Sequence, residues 1–140
     1  MPRKTGFTGK PEDWLRRAKG NLALAKQKKP KDAFWEDLCF DAQQAAEKAI
    51  KAVLVFRQLD FRKTHDLRGL LTLLDSSGVP IPEEIWKADN LTNYAVETRY
   101  PGLSEPVSDK EYRDAVALAE TVVRWADKQI TQQRRRTRKS

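Results

Sequence analysis

Two short stretches of the sequence combine residue types that can bind an anion or transfer a proton. The first is Thr64-His65-Asp66, which holds the only histidine among the 140 residues. Imidazole titrates near neutral pH without a special environment, so His65 is a candidate general base, general acid or ligand contact. The alternative is a structural histidine that hydrogen-bonds a neighbouring helix, with Thr64 capping the next helix and Asp66 near its positive end.

The second stretch is ETRYPG, residues 97–102, where a predicted helix ends in a stiff turn. Arg99 at such a turn can hold a phosphate through the paired hydrogen bonds of its guanidinium, with Tyr100 beside it. A cation at a helix C-terminus is also favoured by the helix dipole alone, and packing alone explains Tyr100 equally well. Each stretch taken separately is a weak signal.

Other motifs with a known chemistry are missing from the sequence. It contains no GxGxxG, no phosphate-binding glycine–lysine loop and no HExxH. One histidine and one cysteine, far apart, do not supply a zinc site, and the Glu-x-x-His pairs of di-iron bundles are lacking. We therefore predict no metal and no cofactor. Cys39 follows Leu38 on a predicted helix and is expected to be a buried apolar residue rather than a nucleophile.

Helical periodicity accounts for most of the chain. Apolar residues recur at three- and four-residue steps, and β-type alternation is absent from the sequence. The predicted helices are five segments: 11–29, 33–59, 65–77, 82–99 and 108–133. These segments predict an all-α fold, an up-and-down four-helix bundle with one additional short helix.

Three local features of these helices are predicted from residue type and spacing. Asp32 is a good N-cap for the second helix. Ser108, followed three residues later by Glu111, is a capping-box pattern at the start of the last helix. Glu47 and Lys51 lie four residues apart in the favourable order for an exposed ion pair.

The net charge of +7 comes from the two ends of the chain. Residues 1–10 and 129–140 hold eight lysines and arginines with no acids, which leaves −1 for residues 11–128. Such ends bind nucleic acid without sequence specificity, or merely keep a protein soluble. We therefore divide the chain into a basic N-terminal tail (1–10), a helical domain (11–130) and a basic C-terminal tail (131–140), and expect both tails to be flexible.

Apolar runs in the chain are too short to cross a membrane. The start of the sequence does not resemble a signal peptide either. We therefore expect a cytoplasmic protein without a membrane partner.

Taken in order, four segments resemble HEPN domains (higher eukaryote and prokaryote nucleotide-binding domains). They are DWLRRAKGNLALA, CFDAQQAAEKAIKAVL, KTHDLRGLLTLL and LTNYAVETRYPG, followed by the last amphipathic helix. The resemblance spans about residues 11–130. It implies a bundle of four to five helices, usually a homodimer, often paired with a minimal nucleotidyltransferase in modules that include toxin–antitoxin pairs.

Ribonuclease members of the HEPN family share an arginine and a histidine separated by four to six residues. Both face a cleft at the dimer interface, where the arginine would hold the phosphate and the histidine would move a proton. This chain departs from that motif. Arg57 precedes His65 with seven residues between them, and Arg62 precedes it with two, so neither spacing fits the motif. After Arg99 the motif would require a histidine at residues 104–106, and none is there. His65 and Arg99 can pair only if folding brings them together.

Three functional hypotheses remain open from the sequence. The leading one is a non-catalytic HEPN module that binds a nucleotide or an RNA phosphate group, forms a homodimer and partners a minimal nucleotidyltransferase. Its expected ligand contacts are His65, Arg99, Tyr100, Lys48, Glu47 and Lys51. The second is a metal-independent ribonuclease toxin that uses His65 and Arg99 as catalytic residues. The third is a purely structural helical interaction module.

Overall fold

The computed structural model describes residues 9–95 and 106–139, with side chains described as far as residue 132. All regular structure in these residues is helical, which confirms the all-α prediction. The elements are α1 (Pro11–Lys26), α2 (Trp35–Phe56), α3 (Leu67–Ser76), α4 (Glu83–Trp86), a 3₁₀ helix that continues α4 (Lys87–Ala95), and α5 (Asp109–Lys139).

Helix α2 lies at the centre of the bundle and packs against both α1 and α5. Its small residues are fully buried and let the neighbouring helices approach closely: Ala42, Ala45, Ala46 and Ala49. Helices α1 and α5 run antiparallel, since Lys19 pairs with Asp127 and Lys26 pairs with Glu120. This arrangement confirms the predicted bundle and places the middle of α2 in the core.

Helix α3 and the 3₁₀ helix also pack on α2. The apolar side of α3 is buried through four leucines spaced three, one and three residues apart: Leu67, Leu70, Leu71 and Leu74. The connection between α2 and α3 therefore runs close to the side of α2. This connection carries His65.

The capping-box prediction at α5 is confirmed. The backbone N–H of Glu111 donates to Ser108 Oγ at 3.1 Å, and the N–H of Ser108 donates to Glu111 Oε1 at 3.3 Å. The predicted N-cap of α2 is wrong, because Phe34 rather than Asp32 precedes the helix. Residues 30–33 instead form a turn in which the Ala33 N–H donates to the Pro30 carbonyl at 3.1 Å.

Where the structure describes the predicted helix over residues 82–99, as far as residue 95, it has one α-helical turn (Glu83–Trp86) and a 3₁₀ helix (Lys87–Ala95) instead. Asp, Asn and Thr side chains in this segment compete for hydrogen bonds that would hold an α-helix together. Within this segment the Thr92 hydroxyl donates to Asp89 Oδ1 at 3.4 Å, and it also accepts the N–H of Leu67 at 3.3 Å. Residues 96–105, which include Arg99 and Tyr100, lie outside the described residues.

The C-terminal segment expected to be a flexible tail is helical as far as Lys139. It contains no proline or glycine, and its glutamine, arginine and lysine residues are good helix formers. Cations are also favoured at a helix C-terminus. None of the described helices contains a stretch long and apolar enough to cross a membrane.

Candidate functional site

A buried carboxylate on α2 organises the site. Glu47 is only 4% exposed, and it has a partner one helical turn away on each side. Gln43 Nε2 donates to Glu47 Oε1 at 3.0 Å, and Lys51 Nζ donates to Glu47 Oε2 at 2.8 Å. The predicted Glu47–Lys51 ion pair therefore forms, but the prediction that it is exposed is wrong. The pair is buried because the middle of α2 is covered by the other helices.

Aromatic rings surround the charged end of Lys51. Its Nζ lies 5.9 Å from the centre of the Trp14 ring and 5.7 Å from that of Phe61. The two rings meet edge to face, with centres 6.3 Å apart. A cation near aromatic faces gains electrostatic stabilisation when water is largely excluded. Helix α1 and the α2–α3 connection thus hold Lys51 against Glu47.

His65 completes this network from the α2–α3 connection. Its Nδ1 lies 2.7 Å from Glu47 Oε1, while 55% of its side chain is exposed. An ionised carboxylate can only accept hydrogen bonds, so the network assigns the proton to Nδ1. Glu47 thereby fixes the orientation of the ring. The second ring nitrogen, Nε2, is left for solvent or a ligand.

The surroundings of Glu47 hold its carboxyl group in the ionised form. Burial acts to raise its pKa, but hydrogen bonds from Lys51, Gln43 and His65 together outweigh burial. The pKa of Glu47 therefore lies below its ordinary value. A charged Glu47 both pairs with Lys51 and accepts from His65 across the physiological pH range.

Asp66 lies at the positive end of α3, as expected, but the prediction that Thr64 caps this helix is wrong. Asp66, not Thr64, is the residue that precedes α3, and the helix begins at Leu67. The Thr64 hydroxyl accepts the backbone N–H of Asp66 at 3.1 Å and closes a short turn around His65. His65 thus lies before the first turn of α3, in a segment shaped by local hydrogen bonds.

Lys48 is directed towards α1. Its Nζ donates to Asn21 Oδ1 at 2.8 Å, and Asn21 Nδ2 in turn donates to Asp41 Oδ1 at 3.4 Å. Burial, helped by the nearby charge of Arg17, lowers the pKa of Lys48. The structure therefore gives this expected ligand contact a role in joining α1 to α2.

The HEPN domain model matches residues 11–129, which is most of the chain. The chain belongs to the HEPN family. This membership confirms the resemblance inferred from the sequence, and it covers all of the helices that hold the His65 network.

Solved structures similar to this HEPN domain agree with the family assignment. TT1696 from Thermus thermophilus superimposes with a TM-score of 0.75 at 29% identity, covering 85% of this chain and 97% of that one. ST0689, an archaeal HEPN homologue, gives a TM-score of 0.72 at 28% identity, covering 88% and 99%. No match was found among curated proteins.

The HEPN fold here brings together His65, Glu47 and Lys51, three of the six residues predicted to contact a ligand. Glu47 and Lys51 act behind His65 rather than at the surface. Gln43 was not predicted, although a glutamine one turn before Glu47 on an apolar helix face could have indicated it. Whether Arg99 and Tyr100 approach His65 stays a prediction, because both lie outside the described residues.

The described part of the chain contains no cluster of side chains suited to hold a metal ion. Among residues 9–95 and 106–132, no group of three or more histidine, cysteine, aspartate or glutamate side chains is placed to hold an ion. Cys39 is fully buried, and burial raises the pKa of its thiol to about 12. The prediction that Cys39 is a buried apolar residue is confirmed.

Proposed function

We propose that this HEPN domain is a non-catalytic module that binds the phosphate group of a nucleotide or of RNA at His65. The observation that carries the proposal is the 2.7 Å bond between His65 Nδ1 and the buried Glu47. It fixes an exposed imidazole so that Nε2 can meet a ligand with little loss of side-chain freedom. A protonated imidazole would donate from Nε2 to a phosphate oxygen in a charge-assisted hydrogen bond.

Charge around His65 supports an anionic ligand. The negative charge of Glu47 is balanced by Lys51 inside the protein, so the carboxylate does not act alone on an approaching phosphate. The exposed segment around His65 contains Arg62, Lys63 and Arg68. Residues 60–68 also contain Asp60 and Asp66, so the three cations leave this segment with a net charge of +1, and Arg68 lies 3.9 Å from Asp89. This small excess of positive charge would attract phosphate from solution.

The proposal includes a homodimer and a minimal nucleotidyltransferase partner, in a pair of the toxin–antitoxin type. Its support is membership of the HEPN family together with the resemblance between this sequence and members that occur in such pairs. Light scattering of the purified chain would measure its oligomeric state. Co-expression and co-purification with a minimal nucleotidyltransferase would measure partner binding.

The hydrogen bond between His65 and Glu47 also favours a second function, that of a metal-independent ribonuclease. A carboxylate bound to Nδ1 is the arrangement that lets Nε2 act as a general base. In such a reaction Nε2 would take the proton of a ribose 2′-hydroxyl, whose oxygen attacks the adjacent phosphorus. The 5′-oxygen would leave with a proton taken from water, giving a 2′,3′-cyclic phosphate. Arg99 would hold the phosphate.

Nuclear magnetic resonance of the His65 ring distinguishes these functions. The His65 signals would be followed while the protein is titrated with AMP, GMP, inorganic phosphate or a short RNA oligomer. In a separate experiment the same RNA would be incubated with the protein in the presence of a metal chelator, and its cleavage measured. Shifted His65 signals with intact RNA support the binding module. Cleavage that disappears in His65→Ala supports the ribonuclease.

A control variant, Lys110→Ala, removes an exposed lysine at the start of α5 and should change neither result. Unperturbed His65 signals at saturating ligand, with intact RNA, would reject both functions. His65 would then be a structural residue of a helical interaction module.

A further inference from the structure

A cleft lies beside His65, between the α2–α3 connection and α3. Its volume is about 540 Å³, within the range of pockets that hold small organic ligands. Phe61, Leu70 and Leu73 form its apolar side, and Thr64 and Asp66, the two chain neighbours of His65, also line it. Leu73 is 40% exposed, whereas Phe61 and Leu70 are 6% and 1% exposed, so Leu73 supplies most of the apolar surface that is open to solvent.

The polar side chains that line the cleft include both hydrogen-bond acceptors and a guanidinium with several donors. Asp60 and Asp66 present carboxylates, and Arg62 presents a guanidinium. All three side chains belong to exposed residues. A ligand with a flat apolar face and both donors and acceptors on its edge would satisfy this set of groups.

The absence of a side chain at Gly69 leaves the space that the Asp66 carboxylate occupies. A Cβ atom at residue 69 would lie 2.8 Å from Asp66 Oδ2, which is too close, and 3.3 Å from Asp66 Cγ, so the Asp66 side chain would have to move. The carboxylate therefore occupies the space that any larger residue would fill. Gly69 itself also lines the cleft.

We infer that this cleft is a nucleobase subsite that prefers guanine. This inference rests on the proposed function. His65 lies between two residues that line the cleft but does not line it itself, so the phosphate of the same ligand would extend beyond the cleft towards His65. Guanine presents two adjacent donors, N1–H and N2–H, which match the two oxygens of one carboxylate such as that of Asp66. It also presents two adjacent acceptors, O6 and N7, which match the guanidinium of Arg62. The apolar side of the cleft would receive the face of the base.

Chemistry also separates guanine from the other bases. Adenine and cytosine each offer an amino donor beside a ring-nitrogen acceptor, and uracil offers one N–H between two carbonyls. None of the three gives a carboxylate two parallel hydrogen bonds. A protein side chain inserted in the cleft would use the apolar surface. It would have no use for the carboxylates unless it carried donors as well.

The experiment follows the amide signal of Gly69 and the methyl signals of Leu73 during titration with GMP, AMP, CMP, UMP and guanosine. Asp66→Asn keeps the shape and a good helix N-cap while it replaces one carboxylate oxygen with a donor. Gly69→Ala displaces the Asp66 carboxylate but raises helix propensity, so this variant should fold. Gly20→Ala is the matched control, because a Cβ there meets nothing within 4 Å.

The expected result is that GMP and guanosine shift the Gly69 and Leu73 signals. GMP should bind at least about fivefold more tightly than AMP or UMP, the discrimination typical of a bidentate contact to a base. Asp66→Asn should abolish this preference. Gly69→Ala should weaken GMP binding, and Gly20→Ala should behave as the wild type.

Two outcomes separate this inference from the proposed function. Equal binding of all four nucleotides, with shifts at His65 and none at Gly69 or Leu73, would overturn the guanine subsite and leave phosphate binding intact. Guanosine that shifts the cleft signals, while no phosphate compound affects His65, would keep the subsite and refute phosphate binding. Absence of any shift at the cleft would overturn the inference and leave the apolar surface for a protein contact.

Discussion

The substitution Glu47→Gln removes the charge on which the buried network depends while it keeps the shape of the side chain. The Glu47 and Lys51 side chains are each 5% exposed, and their charged atoms lie 2.8 Å apart. Loss of one partner leaves the other charge buried without compensation, which costs about 3–5 kcal/mol. A glutamine can still accept from Gln43 and His65 through Oε1, so we expect the lower end of this range, about 3 kcal/mol.

A loss of this size is large beside the total stability of a small domain, which is about 5–15 kcal/mol. For a chain of this length each kcal/mol corresponds to about 3–5 °C in melting temperature, so Glu47→Gln should melt about 10–15 °C below the wild type. Urea denaturation followed by tryptophan fluorescence and by circular dichroism would measure the change in unfolding free energy.

The matched control is Asp114→Asn, which removes another i,i+4 partner of a lysine. Lys110 and Asp114 are 80% and 70% exposed, so this pair should contribute at most about 0.5 kcal/mol. Lys51→Met completes a double-mutant cycle, in which Glu47→Gln with Lys51→Met should cost less than the two single changes added together. If Glu47→Gln costs no more than Asp114→Asn, the argument from burial is wrong.

Two further predictions concern pH. Folding lowers the pKa of Glu47 from 4.5, so on acidification the unfolded chain takes up this proton at a higher pH than the folded chain does. The stability of the wild type should therefore fall more steeply below about pH 4.5 than that of Glu47→Gln. Urea titrations at pH 3 to 6 would measure this difference. Folding raises the pKa of Cys39 from 9.0 to about 12, so above pH 9 the unfolded chain loses a proton that the folded chain keeps. The stability of the protein should therefore fall as the pH rises from 9 to 12. At pH 8, iodoacetamide should alkylate Cys39 only when the protein is unfolded in urea, and mass spectrometry would detect the product.

The sequence predicted the helices well because their apolar residues recur with helical spacing over long segments. It also predicted the capping box of Ser108 and Glu111, since both partners are only three residues apart. It failed at Asp32, where residue type favours a cap but the chain forms a turn ending one residue before Phe34. Short-range patterns therefore identify an element more reliably than the residue at which it begins.

Prediction of the site was limited by tertiary structure. The spacing of Glu47 and Lys51 was enough to predict their ion pair, but burial of the pair depends on how α1 and the α2–α3 connection cover α2. Likewise, His65 lies eighteen positions after Glu47 in the sequence, and no local pattern joins them. His65 could be selected as the only histidine, whereas its carboxylate partner required the fold.

Burial of Glu47 and Lys51 is difficult to explain by stability alone. Two well-packed apolar side chains of similar volume are often as stabilising as a buried ion pair, or more so. A purely structural role for His65 also leaves unexplained why a side chain that is 55% exposed is held by a buried carboxylate, since an exposed partner gains less from such a bond than a buried one. An ionised, immobile carboxylate does have one specific effect here. It holds the imidazole by Nδ1 and turns Nε2 outward, which an apolar pair could not do.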